Sequence, residues 1–294
     1  MLTRTIDHYR EETKETLVST CRLFGVNRQV YYRSKQAMHQ KQERACKVIN
    51  VVQALRTQMP RVGTRKLYYL LQSELKVLGV GRDKLFNILK ANNMLILPKR
   101  SYRKTTDSHH RFRKHKNLIE GLKPERPEQI WVSDITYIGN SGNHRYLALV
   151  TDAYSKKVVG HDLSSSLSAD GAIRALKMGL RQRSYKSELI HHSDRGLQYC
   201  CDKYQASLAK GQVKCSMTES YDPYANAVAE RVNGILKQEF LLEEYNIELT
   251  AMKELVRNSI GIYNTIRPHY SCYMKTPLQM HDQDKIEIRS YKKN

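Results

Sequence analysis

Trp131-Val132-Ser133-Asp134-Ile135-Thr136-Tyr137-Ile138 is an apolar, β-branched and aromatic run with one carboxylate set in its middle. That composition reads as a half-buried strand, where a carboxylate is costly unless a donor or a cation compensates it. A second such run, Leu189-Ile190-His191-His192-Ser193-Asp194, ends on an aspartate just before Arg195-Gly196. A third carboxylate, Glu230, lies in a helical stretch over 226–237, with 35 residues between it and Asp194. Gathered carboxylates repel one another, so three together imply a metal or raised pKa values. Two strand aspartates and one helix glutamate form a hard, oxygen-rich set suited to magnesium or manganese. Two ions roughly 3.5–4 Å apart can serve an in-line phosphoryl displacement. Asp134, Asp194 and Glu230 are therefore the candidate catalytic and metal-binding residues, and phosphodiesters are the substrate class they suit.

Outward from these runs, strand-like periodicity covers 129–138, 144–152 and 156–163, with Gly139-Asn140-Ser141-Gly142-Asn143 as a hairpin loop between the first two. A helix starts near Ser168 with Ile173, Leu176 and Leu180 on one face. A strand at 188–193, a helix at 198–209, a strand at 212–217, the Glu230 helix and a last helix at 249–264 follow. Three antiparallel strands and then alternating helix and strand predict a mixed five-stranded sheet flanked by helices, the order of the ribonuclease H-like fold. On the Glu230 helix, Asn226, Asn233 and Lys237 share the polar face with the carboxylate. Val228, Ala229, Val232, Ile235 and Leu236 form the apolar face that docks on the sheet.

The first third is helical in pattern. Thr16 to Phe24, a Gly25-Val26 turn and a second helix capped by Asn27 make a helix-turn-helix candidate. Val48, Val51, Val52 and Leu55 recur at helical spacing, as do Leu67, Leu70, Leu71 and Leu75, and then Leu85, Ile88 and Leu89. The last two groups flank a short turn at Val77-Leu78-Gly79-Val80-Gly81. Nearby Arg61, Arg65, Lys66, Lys76, Arg82, Lys84 and Lys90 favour DNA over a bundle with no partner. From Pro98 to Pro127 periodicity stops, and Lys99, Arg100, Arg103, Lys104, Arg111, Arg113, Lys114 and Lys116 alternate with aromatic and His residues, as in a basic linker that can follow phosphates. The expected organisation is a helix-turn-helix-like segment at 1–40, a helical DNA-binding region at 41–97, a basic linker at 98–127 and the catalytic core at 128–294.

Charge follows the same division. Of the net +21, residues 1–124 carry +18, from 27 Lys/Arg against 9 Asp/Glu, and the other 170 residues only +3. A solubility role does not explain that asymmetry, whereas a polyanion-binding module joined to something else does. Cys21, Cys46, Cys200, Cys201, Cys215 and Cys272 show neither disulfide-framework spacing nor a C-x-x-C pair, which fits a reduced interior. No apolar run approaches the length needed to span a bilayer, so no membrane partner is expected.

Four motifs taken together resemble the integrase core of bacterial insertion-sequence transposases: Trp131-x-x-Asp134-Ile135-Thr136-Tyr137-Ile138, His192-Ser193-Asp194-Arg195-Gly196-Leu197-Gln198-Tyr199, Asn226-Ala227-Val228-Ala229-Glu230-Arg231 and Tyr263-Asn264-x-x-Arg267-Pro268-His269. More closely, they resemble the second-frame catalytic product of the IS-three family, relatives of retroviral integrases. The basic helical segment at 60–95 is similar to the helix-turn-helix region preceding that core. The resemblance implies a DDE-type polynucleotidyl transferase that cuts and joins DNA, with Asp134, Asp194 and Glu230 as its metal-binding triad and magnesium or manganese, two ions, as cofactor. It further implies element terminal repeats and target DNA as partners, a homo-oligomer on DNA, an upstream-frame partner protein, and a cytoplasmic, nucleoid-associated location. Ala225 departs from the family pattern, which often has an acidic residue there. The retroviral His-His-Cys-Cys zinc module is also missing.

Other residues stay open between two roles. His192 and Asn226 shape the site or touch DNA, and Arg267 and His269 bind phosphate or staple the last helix. Asp152 and Asp222 read as turn or structural carboxylates, and Trp131 as core. The adjacent pairs His191-His192 and Cys200-Cys201 cannot readily present both side chains to one zinc ion. The rival functions are a ribonuclease H-like nuclease that cuts without joining, and an inactive transposase-derived DNA-binding protein.

Overall fold

Residues 2–97, 115–139, 144–218 and 227–282 are described by the computed structural model. They fall in two compact units, Met1–Leu55 with Leu71–Leu95, and Arg56–Leu70 with Ile96–Asn294. The hairpin loop residues 140–143, most of the basic linker, and Asp222, Ala225 and Asn226 lie outside the described residues.

The first unit is all helical. Helix α1 (Leu2–Thr13) is followed by α2 (Leu17–Leu23) and α3 (Arg28–Arg56). Thr16 caps α2 by accepting from the Ser19 N–H at 3.2 Å, and Asn27 caps α3 by accepting from the Gln29 N–H at 3.0 Å. Gly25 takes φ +65 between them, a left-handed turn that favours glycine. Ile6, Cys21 and Tyr31 form the small core of this end, with Leu17, Phe24 and Val26 against it. Two helices joined by a turn stand here, but the second is longer than a helix-turn-helix segment at 1–40 allows. It continues for 29 residues, so the boundary placed between 40 and 41 falls inside it. No Gly or Pro interrupts residues 28–56, and the α propensity of its Gln, Lys, Arg and Ala residues carries it through. Farther along, Val48 and Val52 are buried again.

The run of leucines at 67–75 is two helices rather than one. Helix α4 (Thr64–Leu70) belongs to the second unit and α5 (Gln72–Val77) to the first. Leu71 between them leaves helical geometry at φ −104, ψ 23. After the turn at Gly79 comes α6 (Arg82–Ala91), with Leu85 and Leu89 buried.

The second unit is built on a five-stranded sheet: β1 (Ile130–Ile138), β2 (Arg145–Asp152), β3 (Val158–Ser164), β4 (Ile190–Ser193) and β5 (Lys214–Met217). Its spatial order is β3-β2-β1-β4-β5, antiparallel over the first three strands and parallel for β1-β4 and β4-β5. This is the expected α/β, ribonuclease H-like architecture. Helix α7 (Ala169–Arg181), α8 (Leu197–Cys200) and α9 (Asp202–Lys210) pack with one face of the sheet. The core there contains Trp131, Val150, Leu176, Tyr204 and Leu208. Gly160 allows β3 and α7 to meet, since a Cβ there would stand 2.0 Å from the Ala175 carbonyl oxygen. The single helix expected at 198–209 is divided because Cys201 is extended (φ −70, ψ 149), and its carbonyl caps the start of α9.

Helix α10 (Ala227–Gln238) covers the other face, where Ala229 packs with Ile130, Val132 and Ala153. Helix α11 (Leu249–Thr265), a 3-10 turn at Tyr270–Cys272 and α12 (Pro277–His281) complete the chain. Tyr263 donates to the Lys156 carbonyl at 2.9 Å, and the Asn264 amide both donates to and accepts from the Val158 backbone at 3.0 Å. The Tyr-Asn half of the last motif therefore ties α11 to the edge of the sheet.

Candidate active site

The register of the sheet brings two of the three carboxylates together. Ser133 pairs with Ser193 across the parallel strands β1 and β4, so Asp134, within β1, and Asp194, just past the end of β4, are the next residues along. Parallel strands lie about 4.8 Å apart. Alternation along β1 sends Trp131 and Ile135 to the α7 side and Ile130, Val132 and Asp134 to the α10 side. Asp194 follows His192, the register partner of Val132, and so continues on that same side.

Asp134 is held from two directions. Its Oδ1 accepts the Ile135 N–H at 2.9 Å and its Oδ2 accepts the Asn233 amide at 2.7 Å. Asp194 accepts the Gly196 N–H at 3.0 Å. A Cβ at Gly196 would come within 2.9 Å of Asp194 Oδ1, so a larger residue there would have to displace that carboxylate. Asn233 and Glu230 are three residues apart on α10 and share a face, so the Asn233 bond turns the Glu230 face towards Asp134. Glu230 itself is solvent-exposed. Among the described residues, no three His, Cys, Asp or Glu side chains stand close enough to hold a metal ion together. Thus the two aspartates are brought side by side, while Glu230 is near enough to act through its charge but is not in a ligating cluster with them.

The electrostatics point the same way. Burial, then the charge of Asp194, and more weakly that of Glu230, raise the Asp134 pKa to about 7, against the opposing bonds from Ile135 and Asn233. A carboxyl there gains by meeting a cation, and Asp134 retains some accessible surface through which one could reach it. All the nearby charged groups that perturb it are carboxylates, the donor chemistry of a hard divalent ion.

Beneath the carboxylates lies a buried layer in which Tyr199 was not singled out from the sequence. The Tyr199 hydroxyl is buried without a hydrogen-bond partner, and burial, then Tyr204, Asp134 and Asp194, push its pKa well up. His191 Nε2 lies 2.7 Å from the Ser133 hydroxyl and 2.9 Å from that of Tyr204. Burial and the neighbouring His192 lower its pKa to about 3, so it is a neutral core residue. His192 lies within 2.9 Å of Ser216 and 3.4 Å of Thr218 through its two ring nitrogens, which makes it a shaping residue of β4. Asn233 did have a signal, its three-residue spacing from Glu230. Tyr199 had only its place in the His192–Tyr199 motif.

The role of Arg267, left open by the sequence, is decided. Arg267 is buried and donates to Glu239 at 2.7 Å, while Lys66 reaches the same carboxylate at 3.0 Å. Arg267 is thus a staple of the last motif. Asp152 is a buried turn carboxylate that accepts from the Ser155 N–H, the Ser155 hydroxyl and the Glu128 N–H, each at 2.7 Å. Trp131 is fully buried in the core, as expected.

The integrase core domain family matches residues 124–223, and a second integrase core domain family matches 211–277. An insertion element IS600 uncharacterized 31 kDa protein of Shigella sonnei is 34% identical over 256 residues, covering 85% of this chain and 92% of that protein. Transposase InsF for insertion sequence IS3fB of Escherichia coli (strain K12) is 36% identical over 170 residues, 57% of this chain and 59% of that transposase. Among solved structures, a simian T-cell lymphotropic virus intasome in complex with a PP2A regulatory subunit matches at TM-score 0.49 with 19% identity, covering 76% of each chain. The HTLV-2 integrase catalytic core domain in complex with magnesium matches at TM-score 0.44 with 19% identity, covering 54% of this chain and 99% of that one. With two integrase core domain families matched and 34% identity to an insertion-element protein across 92% of that protein, the chain belongs to the IS3-type insertion-sequence transposases with an integrase-like core.

Proposed function

We propose that this transposase acts in DNA integration and recombination as a DDE-type polynucleotidyl transferase, with Asp134, Asp194 and Glu230 as its catalytic, metal-holding carboxylates. The observation that carries this is Asp134 within β1 beside Asp194 just past the end of the adjacent parallel strand β4, on the face covered by the helix bearing Glu230. The residues fit magnesium or manganese: the donors are hard oxygens, and the raised Asp134 pKa marks negative charge that its protein donors do not fully offset. Two such ions, when bound, supply activation of an attacking oxygen and stabilisation of a leaving one. The chain's own contribution is positional. Ile135 and Asn233 fix the Asp134 carboxylate, Gly196 fixes that of Asp194, and the apolar face of α10 seats Glu230 over the sheet. Glu230 would be the third residue to hold the metal, from the exposed face of α10.

In this reading the segments at 1–40 and 41–97 bind element ends, the 98–127 linker follows phosphates, and 128–294 cuts and joins strands. The partners are terminal-repeat and target DNA, further copies of the chain bridging two ends, and an upstream-frame protein, in the cytoplasm at the nucleoid. Among the described residues no helix is long and apolar enough to cross a membrane. The test is a strand-transfer assay on end-sequence duplexes with magnesium or manganese. Joined products from a 3′-hydroxyl donor are expected from the wild type and not from Asp194→Asn. Full joining by Asp194→Asn would sink the assignment, and cleavage without joining would favour a nuclease.

A further inference from the structure

Helix α3 contains a span that its neighbours do not cover. From Tyr32 to Lys47 every residue is exposed except the half-buried Met38 and Ala45, while Tyr31 before it and Val48 after it are buried. A helix that is polar on all sides and buries almost nothing is not held by a core of its own. This one is held at its ends, by the apolar cluster around Tyr31 and by the buried Val48 and Val52.

The exposed span carries five Lys/Arg and one Glu. Glu43 sits 3.5 Å from His39, and Lys35 sits 3.8 Å from Asp7. Among the described residues no ion pair engages Arg33, Lys41, Arg44 or Lys47. At about 100° per residue, these four cations fall within a stripe about 120° wide, with Gln36 and Gln40 beside them. The stripe runs about 21 Å along the helix. Duplex DNA offers one negative charge per roughly 1.7 Å, or about twelve over that length. A second copy of the chain is a poorer fit: Met38 and Ala45 repeat at heptad spacing, but Lys41 and Gln42 between them break the apolar seam of a coiled coil.

We infer that residues 32–47 form a rail that grips the phosphate backbone of duplex DNA through Arg33, Lys41, Arg44 and Lys47, without reading base sequence. This rests on the reading of the chain as a DNA-binding transposase and adds where its sequence-independent grip lies. Unpaired cations on a stiff support neutralise phosphates and release counterions, so the rail contributes a defined share of the salt dependence of binding.

The experiment measures binding of the full-length chain to two 25-bp duplexes of unrelated sequence by fluorescence anisotropy, from about 50 to 200 mM salt. The variant replaces Arg33, Lys41, Arg44 and Lys47 together with Gln. Its slope of log affinity against log salt is expected to be shallower by about 3.6, equally on both duplexes, from about 0.9 per lost phosphate contact. Helicity by circular dichroism should be unchanged. Arg33→Gln with Arg44→Gln alone should give about half that change, and Lys41→Arg with Lys47→Arg none, which guards against an unfolded quadruple variant. Slopes agreeing within about 1 would overturn the rail. So would a wild-type dimer, seen by sedimentation, that the Gln variant abolishes with its slope unchanged, since the span would then serve self-association. A wild-type chain that binds neither these duplexes nor element ends defeats the underlying DNA reading itself.

Discussion

Replacing Glu239 with Gln removes a carboxylate that Arg267 and Lys66 share. Glu239 accepts from Arg267 at 2.7 Å and from Lys66 at 3.1 and 3.0 Å, and its backbone carbonyl accepts the Arg61 N–H at 3.0 Å. Burial alone would raise its pKa, but Arg267 and then Lys66 hold it below the ordinary carboxylate value. Arg267 is only 3% exposed, so Gln leaves a buried guanidinium without its counter-charge. Breaking a buried pair by removing one partner costs about 3–5 kcal/mol. For a unit of this size that is a fall in Tm of roughly 6–20 °C. Thermal unfolding of the wild type, Glu239→Gln and Glu239→Gln with Lys66→Met is the assay, and the double variant should recover part of the loss. The pH dependence carries the sign. A lowered folded pKa gives stability that is present above the unfolded value, about 4.3, and is lost as pH falls through the folded value. The gap between wild type and Glu239→Gln should therefore be full at pH 7 and close at acid pH. A Tm fall under about 2 °C at pH 7, or a gap that widens on acidification, would refute the reasoning.

Two further outcomes follow from close contacts in the core and the site. Gly160→Ala places a methyl 2.0 Å from the Ala175 carbonyl, so β3 and α7 must separate. The expected loss is about 3 kcal/mol, read as a lower urea midpoint at unchanged m, and an unshifted midpoint would contradict the packing. Asn233→Ala deprives Asp134 of the amide at 2.7 Å. Strand transfer should fall about 10–100-fold and the magnesium concentration for half-activity should rise, with the melting profile retained. An unchanged magnesium requirement would show that Asn233 is not a positioning residue.

Much of the catalytic unit was legible because its signals are local. The strand around Asp134, the strand ending at Asp194 and the helix of Glu230 each carry their own periodicity, and the observed elements agree to within a few residues. The Asn27 cap was readable for the same reason, since a capping side chain acts two or three residues away. The failures are also local in origin. Apolar spacing across Leu67–Leu75 and across 198–209 does not reveal that Leu71 and Cys201 leave helical geometry, because neither is a Gly or Pro. The length of α3 was missed because its middle has no apolar stripe to follow.

The sequence by itself determined the five strands, the helical first third, the uneven charge and the three carboxylates, through side-chain period, composition and motif. Tertiary structure alone decided what those groups meet. It set Asp134 beside Asp194 through strand register, put the Asn233 amide on Asp134 across 99 residues, and joined Lys66 to Glu239 across 173. It also assigned Arg267 to a carboxylate rather than to a phosphate, and Arg56–Leu70 to the catalytic unit. Period and propensity act over a few residues, whereas a carboxylate's partner and pKa depend on which distant segments the packed sheet brings within hydrogen-bond reach.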